Sequence, residues 1–172
     1  LSYDKFHKNY KTVYQVIANR NFNNQVFTDR SMVLPLANEI GTSSPQIKNA
    51  VVTTYQRDIV LAREEKKLKQ KGYTVGDQFF DVFTWEFSKG NASTAFKAPN
   101  SIVLTESAAK TFFGDEDPIN KVLRMDNLTD MKVTAIVKDP PRNSTFEFDW
   151  LVSFNINDPK TKASMNEWQN SS

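Results

Sequence analysis

The fold is decided largely by residues 99–122, whose sequence is PNSIVLTESAAKTFFGDEDPINKV. The apolar run Ile102–Leu104 predicts a strand that is covered on both faces. Thr105 is suited to cap a following helix, and Glu106 places negative charge in its first turn, where the helix dipole favours it. Gly114 predicts the end of this helix. The polar groups of this stretch therefore have structural roles and supply no catalytic machinery.

The rest of the chain predicts short strands mixed with short helices. Alternating or β-branched patterns predict strands at 13–17, 47–55, 59–63, 69–75, 84–88, 121–125, 131–137 and 146–154. Helices are predicted at 3–11, 32–40, 77–83 and 93–97. The Asn-rich residues 19–24 predict a loop. The mixture lacks regular strand–helix alternation and predicts an α+β fold.

Composition excludes several classes of function. The chain has 172 residues and a formal net charge of +2, whereas a nucleic-acid-binding protein needs a much stronger basic stripe. It has no cysteine, which excludes disulfides, thiolate nucleophiles and zinc–cysteine sites. No apolar run approaches the ~18 residues of a membrane-spanning helix. The chain begins with Leu1 rather than methionine, so we expect it to be a piece of a longer protein.

The only histidine, His7, is a poor candidate for a catalytic base. It lies in a Lys-rich segment and far in sequence from any cluster of serines. The sequence predicts a capping or surface-contact role. Asp115–Asp117 could supply oxygens to Ca²⁺ or Mg²⁺, but Asn120 stands where an EF-hand loop needs glycine. An exposed acidic turn after a helix is the favoured interpretation.

Glycoside hydrolases use a pair of carboxylates, and this class of enzyme is suggested by four residues: Glu106, Asp115, Glu147 and Asp149. Glu147 and Asp149 share one face of the predicted strand 146–154, opposite the aromatic side chains. A solvated sheet face accounts for them without a substrate.

A second cluster is basic and consists of Lys66, Lys67, Lys69 and Lys71. On a hairpin these side chains are expected to divide between two faces. They are interpreted as edge-strand lysines that discourage aggregation, with contact to anionic lipid head groups as the alternative.

Six segments, in order along the chain, carry a family resemblance. They are SYDKFHKN (2–9), DQFFDVF (77–83), PNSIVLTE (99–106), FFGDEDPINK (112–121), VTAIVKD (133–139) and NSTFEFD (143–149). Together they resemble the MacB-like periplasmic core domain of ABC transporter permeases, within the FtsX-like permease group, in the form common in Bacteroidetes.

The resemblance implies that residues 1–172 are one extracytoplasmic domain between two transmembrane helices of a permease. Its place would be the periplasmic side of the bacterial inner membrane. The implied architecture is a porter-like lobe plus a smaller α/β lobe, with more extracytoplasmic sequence expected after Ser172. No catalytic residue, cofactor or metal is implied, because a separate cytoplasmic ATPase hydrolyses ATP.

The resemblance also implies partners for the domain. They are the permease transmembrane helices, a second permease subunit, the cytoplasmic ATPase indirectly, and a periplasmic adaptor or an exported substrate. A different class of function stays open, because mixed sheets with aromatic-lined pockets also suit an extracytoplasmic module that senses small molecules.

Overall fold

The computed structural model describes residues 3–30 and 35–154, with the backbone alone for Asn38. The strands are β1 (Ala18–Phe22), β2 (Gln25–Asp29), β3 (Arg57–Arg63), β4 (Lys66–Val75), β5 (Phe87–Lys89), β6 (Ser101–Thr105), β7 (Val122–Met125), β8 (Thr129–Val137) and β9 (Trp150–Ser153). The helices are α1 (Pro35–Ser43), α2 (Phe79–Val82), α3 (Ala92–Ala95) and α4 (Glu106–Phe113). The predicted α+β class is confirmed.

Seven of the strands form one mixed sheet in the order β5-β8-β6-β9-β4-β3-β7. Strand β7 also pairs with β8, so the six strands from β8 to β7 form a closed ring, here called the sheet circuit. Strand β5 lies outside this ring and pairs with β8. The pairs β4–β9 and β6–β8 are parallel, and the other pairs are antiparallel. Strands β1 and β2 form a separate antiparallel hairpin.

Strand β6 joins the two hydrophobic cores. All five of its residues are buried, which confirms the prediction of a strand covered on both faces. One core, here called the α4 core, contains Ile102, Leu104, Phe112, Phe113 and Trp150 among others. The other, here called the aromatic core, contains Val103, Phe79, Trp85, Phe96, Phe148 and Leu151 among others. Alternate residues of β6 therefore contribute to opposite cores.

Helix α4 begins and ends where the sequence predicts. The Thr105 hydroxyl accepts a hydrogen bond from the Ala108 N–H at 3.2 Å, and Gly114 follows the helix with a φ of +60°. Two side chains on either side of the β3–β4 turn donate hydrogen bonds to the C-terminal end of α4. Arg63 donates to the Phe112 carbonyl at 3.0 Å and Lys66 to the Thr111 carbonyl at 2.6 Å. These bonds satisfy carbonyls that have no partner within a helix.

The predicted strands 59–63, 69–75, 121–125 and 131–137 are confirmed as β3, β4, β7 and β8, with ends that shift by three residues at most. The predicted strand 84–88 is shifted to β5, and helices 77–83 and 93–97 shorten to α2 and α3. No side chain caps α2.

The helix predicted at 3–11 is wrong. These residues form consecutive turns, in which the Tyr10 N–H donates to the His7 carbonyl at 3.1 Å. Asp4 has a φ of +59°, which a right-handed helix excludes. Residues 13–17 do not form the expected strand either.

The loop predicted at 19–24 is instead the hairpin of β1 and β2. Its turn consists of Asn23 and Asn24, which have φ values of 50° and 61°. Asparagine tolerates the left-handed region that tight two-residue hairpin turns require. The Asn-rich composition therefore marked a turn within a hairpin.

Two further predictions need correction in the region before β3. Residues 47–55 form no strand, and only Thr53 makes an isolated bridge, with Val75. Helix α1 continues past Gly41 to Ser43, because nothing at that glycine forces the chain out of the helix. Met32, the first residue of the helix predicted at 32–40, lies outside the described residues.

The strand predicted at 146–154 is only β9, four residues long. Strand β9 lies between β6 and β4 inside the sheet, and its consecutive residues Trp150, Leu151 and Val152 are all buried, so both of its faces are covered. Leu151, which continues the alternation of Glu147 and Asp149, is buried in the aromatic core. The residues before β9 leave the sheet and contribute Phe148 to the same core.

Candidate functional site

Residues 3–10, here called the N-terminal segment, are held against two distant loops. The Asp4 N–H donates to the Asn143 carbonyl at 2.9 Å. One carboxylate oxygen of Asp4 accepts from the Thr145 N–H at 2.8 Å, and the other accepts from the Thr145 hydroxyl. A carboxylate that accepts two hydrogen bonds from one residue fixes both position and orientation. The N-terminal segment is thereby fixed through Asp4 to the loop that precedes β9.

His7 attaches the same segment to the loop between α2 and β5. Its Nδ1 lies 3.1 Å from both the carbonyl oxygen and the amide nitrogen of Thr84. Nδ1 therefore donates to that oxygen or accepts from that nitrogen, depending on the tautomer. The Lys8 N–H donates to the Thr84 hydroxyl at 3.1 Å. The prediction of a surface-contact histidine is wrong, because His7 is only 3% exposed.

Aromatic rings surround the His7 imidazole. Ring centroids lie 4.0 Å away for Phe6, 5.2 Å for Phe83 and 5.5 Å for Trp85. The His7 Nε2 is buried without a hydrogen-bond partner among the described residues. Burial lowers the pKa of His7, while the hydrogen bond with Thr84 and the charge of Asp4 partly oppose that shift. His7 is therefore a neutral packing residue.

We expect this burial to make stability depend on pH. The lowered pKa of His7 means that the unfolded chain binds more protons than the folded chain just below pH 6.5. The contribution of His7 to the free energy of unfolding should be at its maximum above pH 6.5. The free energy of unfolding should then decrease as the pH falls below 6.5, by at most about 1.4 kcal/mol per pH unit. Urea unfolding of the wild type and His7→Gln between pH 7.5 and 5.5 measures this dependence.

The His7→Gln variant is a clean control, because His7 is the only histidine and carboxylates titrate mainly below this range, near pH 4. Equal slopes in both proteins would contradict the buried, neutral state of His7.

The acidic turn Asp115–Asp117 is exposed, and each of its carboxylates pairs with a cation of its own. Asp115 pairs with Lys110, while Glu116 lies 2.9 Å from Arg63 and Asp117 lies 2.9 Å from Lys89. Hydrogen bonds from Lys110 and Lys89 lower the pKa of Asp115 and the pKa of Asp117. Within residues 3–30 and 35–154, no group of three potential ligands could hold a metal ion. The turn offers separated charges and no ligand set.

The four carboxylates of the hydrolase hypothesis do not form one site. Glu106 binds the Ser88 hydroxyl at the start of α4, and Asp115 lies beyond the other end of that helix. Eight helical residues span about 12 Å, more than the ~5–9.5 Å that separates paired catalytic carboxylates.

Glu147 and Asp149 do come together, but around a lysine. The Glu147 carboxylate lies 2.9 Å from the Lys71 ammonium, and that of Asp149 accepts from the Lys71 N–H at 3.0 Å. The bond to Glu147 raises the pKa of Lys71 above its usual value. These two carboxylates therefore fix the approach of residues 147–149 to β4.

The lysine cluster is divided between two faces as predicted, but unevenly, since Lys66 has the opposite orientation to the other three. Lys67, Lys69 and Lys71 alternate along β4 in continuous register with β3, so they share one face. Lys69 lies 2.9 Å from Asp58 and Lys71 lies 2.9 Å from Glu147. Exposed pairs of this kind contribute little stability, and they neutralise most of the charge on this face.

A cavity of about 380 Å³ opens at one end of the sheet circuit, and Arg57 lies on its wall. No sequence pattern singled out Arg57, because a cation at the start of a strand is ordinary. The partners of Asp4 and His7 could not be predicted from the sequence either, since they lie 141 and 77 residues away in the chain. No local pattern reports such contacts.

None of the helices described here is both long and apolar enough to span a bilayer. A family model described as the MacB-like periplasmic core domain matches residues 2–169. No match was found among curated proteins.

Solved structures give three similar folds. A domain of a putative permease protein from Porphyromonas gingivalis has a TM-score of 0.70 at 22% identity, over 85% of this chain and 61% of that one. The periplasmic region of MacB from Actinobacillus actinomycetemcomitans has a TM-score of 0.60 at 21% identity, over 84% and 67%. The extracellular domain of the noncanonic ABC-type transporter YknZ from Gram-positive bacteria has a TM-score of 0.58 at 15% identity, over 73% and 64%.

At these identities the likeness shows a shared fold. The chain spans 61% of the Porphyromonas gingivalis domain, so about two fifths of that domain has no counterpart here.

Proposed function

Because the chain belongs to the family of MacB-like periplasmic core domains, we propose that it couples cytoplasmic ATP hydrolysis to export, or to other work outside the membrane. In this proposal residues 1–172 lie between two transmembrane helices of an ABC transporter permease, on the periplasmic side of the bacterial inner membrane. The domain itself is non-catalytic, and a separate cytoplasmic ATPase supplies the energy. Contacts with a second permease subunit, a periplasmic adaptor or the exported substrate deliver the work.

The observation that carries this proposal is the attachment of the N-terminal segment. A transmembrane helix that precedes residue 1 would transmit its movement into this segment first. Asp4 binds Thr145 and His7 binds Thr84, so two loops on the rim of the aromatic core would receive that movement. Trp85 and Phe148 of this core lie close to these loops in sequence, with ring centroids 4.9 Å apart. A close-packed interior resists deformation and passes displacement on.

We expect Asp4→Ala to weaken coupling in the full permease. The substitution removes both hydrogen bonds to Thr145, and bonds to a charged group contribute about 1.5–3 kcal/mol each. The transported amount per ATP hydrolysed should fall severalfold while the ATPase rate persists. Transport and ATP hydrolysis are measured together in proteoliposomes.

Asp130→Ala is the matched control, because Asp130 forms an exposed pair with Arg124 at 2.9 Å and touches neither loop. It should leave the ratio of transport to hydrolysis unchanged. An Asp4→Ala permease that folds normally and keeps the wild-type ratio would contradict the role of the segment.

One observation favours a second function, a module that senses small molecules outside the membrane. The cavity beside Arg57 has about 380 Å³, within the ~300–1,000 Å³ typical of ligand sites. Binding there would be visible as a rise in thermal stability of the chain by mass action.

A further inference from the structure

The cavity lies at one end of the sheet circuit, where each of the six strands either begins or ends. Strands β3, β6 and β8 begin there with Arg57, Ser101 and Thr129 on the wall, while β4, β7 and β9 end there. Helix α4 follows the opposite end of β6. One end of the circuit therefore carries a helix, and the other end is open to a ligand.

Part of the cavity wall is apolar. Met125, Met131 and Val152 line it and are at most 9% exposed. These side chains belong to the α4 core, and the cavity reaches its edge. An apolar group of a ligand would cover them and gain the hydrophobic free energy of burial.

Arg57 provides the charged group at the rim. Its guanidinium lies 5.5 Å from the ring centroid of Trp150 and donates to the Thr74 hydroxyl at 3.4 Å. It has no carboxylate partner among the described residues, whereas Arg63 at the other end of β3 and Arg124 of the neighbouring strand β7 each lie 2.9 Å from one. The cation–π contact with Trp150 and the bond to Thr74 hold the guanidinium at this position for an incoming anion.

The remaining charges on the wall leave it cationic. Lys97 also lines the cavity and has no ion pair within the described part of the chain. Asp77 is the one carboxylate on the wall, so two cations face one anion. This balance favours a ligand with a single negative charge.

We propose that the cavity binds a monocarboxylate with an apolar body. Its carboxylate would receive two parallel hydrogen bonds from the Arg57 guanidinium, a geometry that arginine forms readily with carboxylates. Its apolar body would lie over Met125, Met131 and Val152. A fatty acid and the C-terminus of a peptide with an apolar last residue both have this chemistry. This proposal does not depend on the coupling role, because the 172-residue chain is expected to bind the monocarboxylate without the rest of the permease.

Titration calorimetry of the 172-residue chain tests the proposal with four probes: decanoate, decanol, acetyl-Ala-Leu with a free carboxylate, and the amide of the same peptide. We expect at least one carboxylate to bind, with a Kd on the order of 0.1–1 mM for a ligand of this size. Decanol and the amide should bind at least about tenfold more weakly, since an unpaired charged partner costs this much or more. Whether decanoate or the free peptide binds more tightly identifies the source of the carboxylate.

Arg57→Gln should weaken carboxylate binding about tenfold or more, and Arg57→Lys should restore only part of it. Arg124→Gln is the matched control and should bind as the wild type does, because Arg124 pairs with Asp130. Methyl NMR gives a readout for variants of reduced stability, since decanoate or the peptide should shift the signals of Met125, Met131 and Val152. Equal binding of neutral and charged probes, no binding at all, or unchanged affinity in Arg57→Gln would overturn the proposal.

Discussion

Gly72→Ala should destabilise the chain by about 3 kcal/mol or more, a large part of a typical domain's ~5–15 kcal/mol. A Cβ at Gly72 would lie 2.1 Å from the Trp150 carbonyl oxygen and 2.4 Å from the Trp150 ring. Neither group can move away easily. The carbonyl belongs to β9, which pairs with β4 at this position, and the buried indole donates to the Gln70 carbonyl at 2.9 Å. Urea unfolding monitored by tryptophan fluorescence measures the loss.

Gly41→Ala is the matched control for this substitution. Gly41 lies within α1, and the nearest atom to an added Cβ is 3.9 Å away. Alanine favours a helix over glycine by roughly 0.5–1 kcal/mol, so the control should be as stable as the wild type or more so. A Gly72→Ala protein with wild-type stability would contradict the packing of Trp150 against β4.

Gly72 also illustrates what the sequence could and could not predict. A glycine within a strand pattern by itself indicates only a weak point of that strand. Its actual reason is the close approach of Trp150, which lies 78 residues later in the chain. A reason of this kind depends on which strands become neighbours, and no local pattern contains that information.

The segment from β6 through α4 could be predicted because its signals are local. A continuous apolar run, the Thr105 cap and the glycine after the helix each act within a few residues. The cap bond from the Ala108 N–H to Thr105 at 3.2 Å and the buried strand confirm these predictions. Such agreement is expected wherever local preference and global packing favour the same structure.

The helix predicted at 3–11 was wrong because distant contacts, and not local signals, decide the structure of these residues. Phe6 and Tyr10 have helical spacing, yet the side chains of Asp4 and His7 bond to loops that follow much later in sequence. Tertiary contacts override a weak helix signal in so short a segment. The candidate site is built from these contacts and from Arg57 at the cavity, so it was beyond the reach of sequence patterns.

Removal of the domain from the full permease has the largest effect that we expect on function. Replacement of residues 3–154 with a short flexible linker should abolish export, because no attachment would remain to carry movement from the transmembrane helices outward. Assembly with the cytoplasmic ATPase should persist, since the ATPase binds on the other side of the membrane in this proposal. Copurification of the ATPase measures assembly, and transport into proteoliposomes of defined orientation measures export.

A paired variant separates shape from chemistry in the same assay. Glu147→Gln with Asp149→Asn removes the two carboxylates that meet at Lys71 and leaves the backbone approach to β4 in place, as the Asp149 N–H still donates to the Lys71 carbonyl at 2.7 Å. We predict that export ceases in the deletion and continues in the paired variant. Undiminished export by the deleted permease, with the ATPase assembled, would contradict the coupling role.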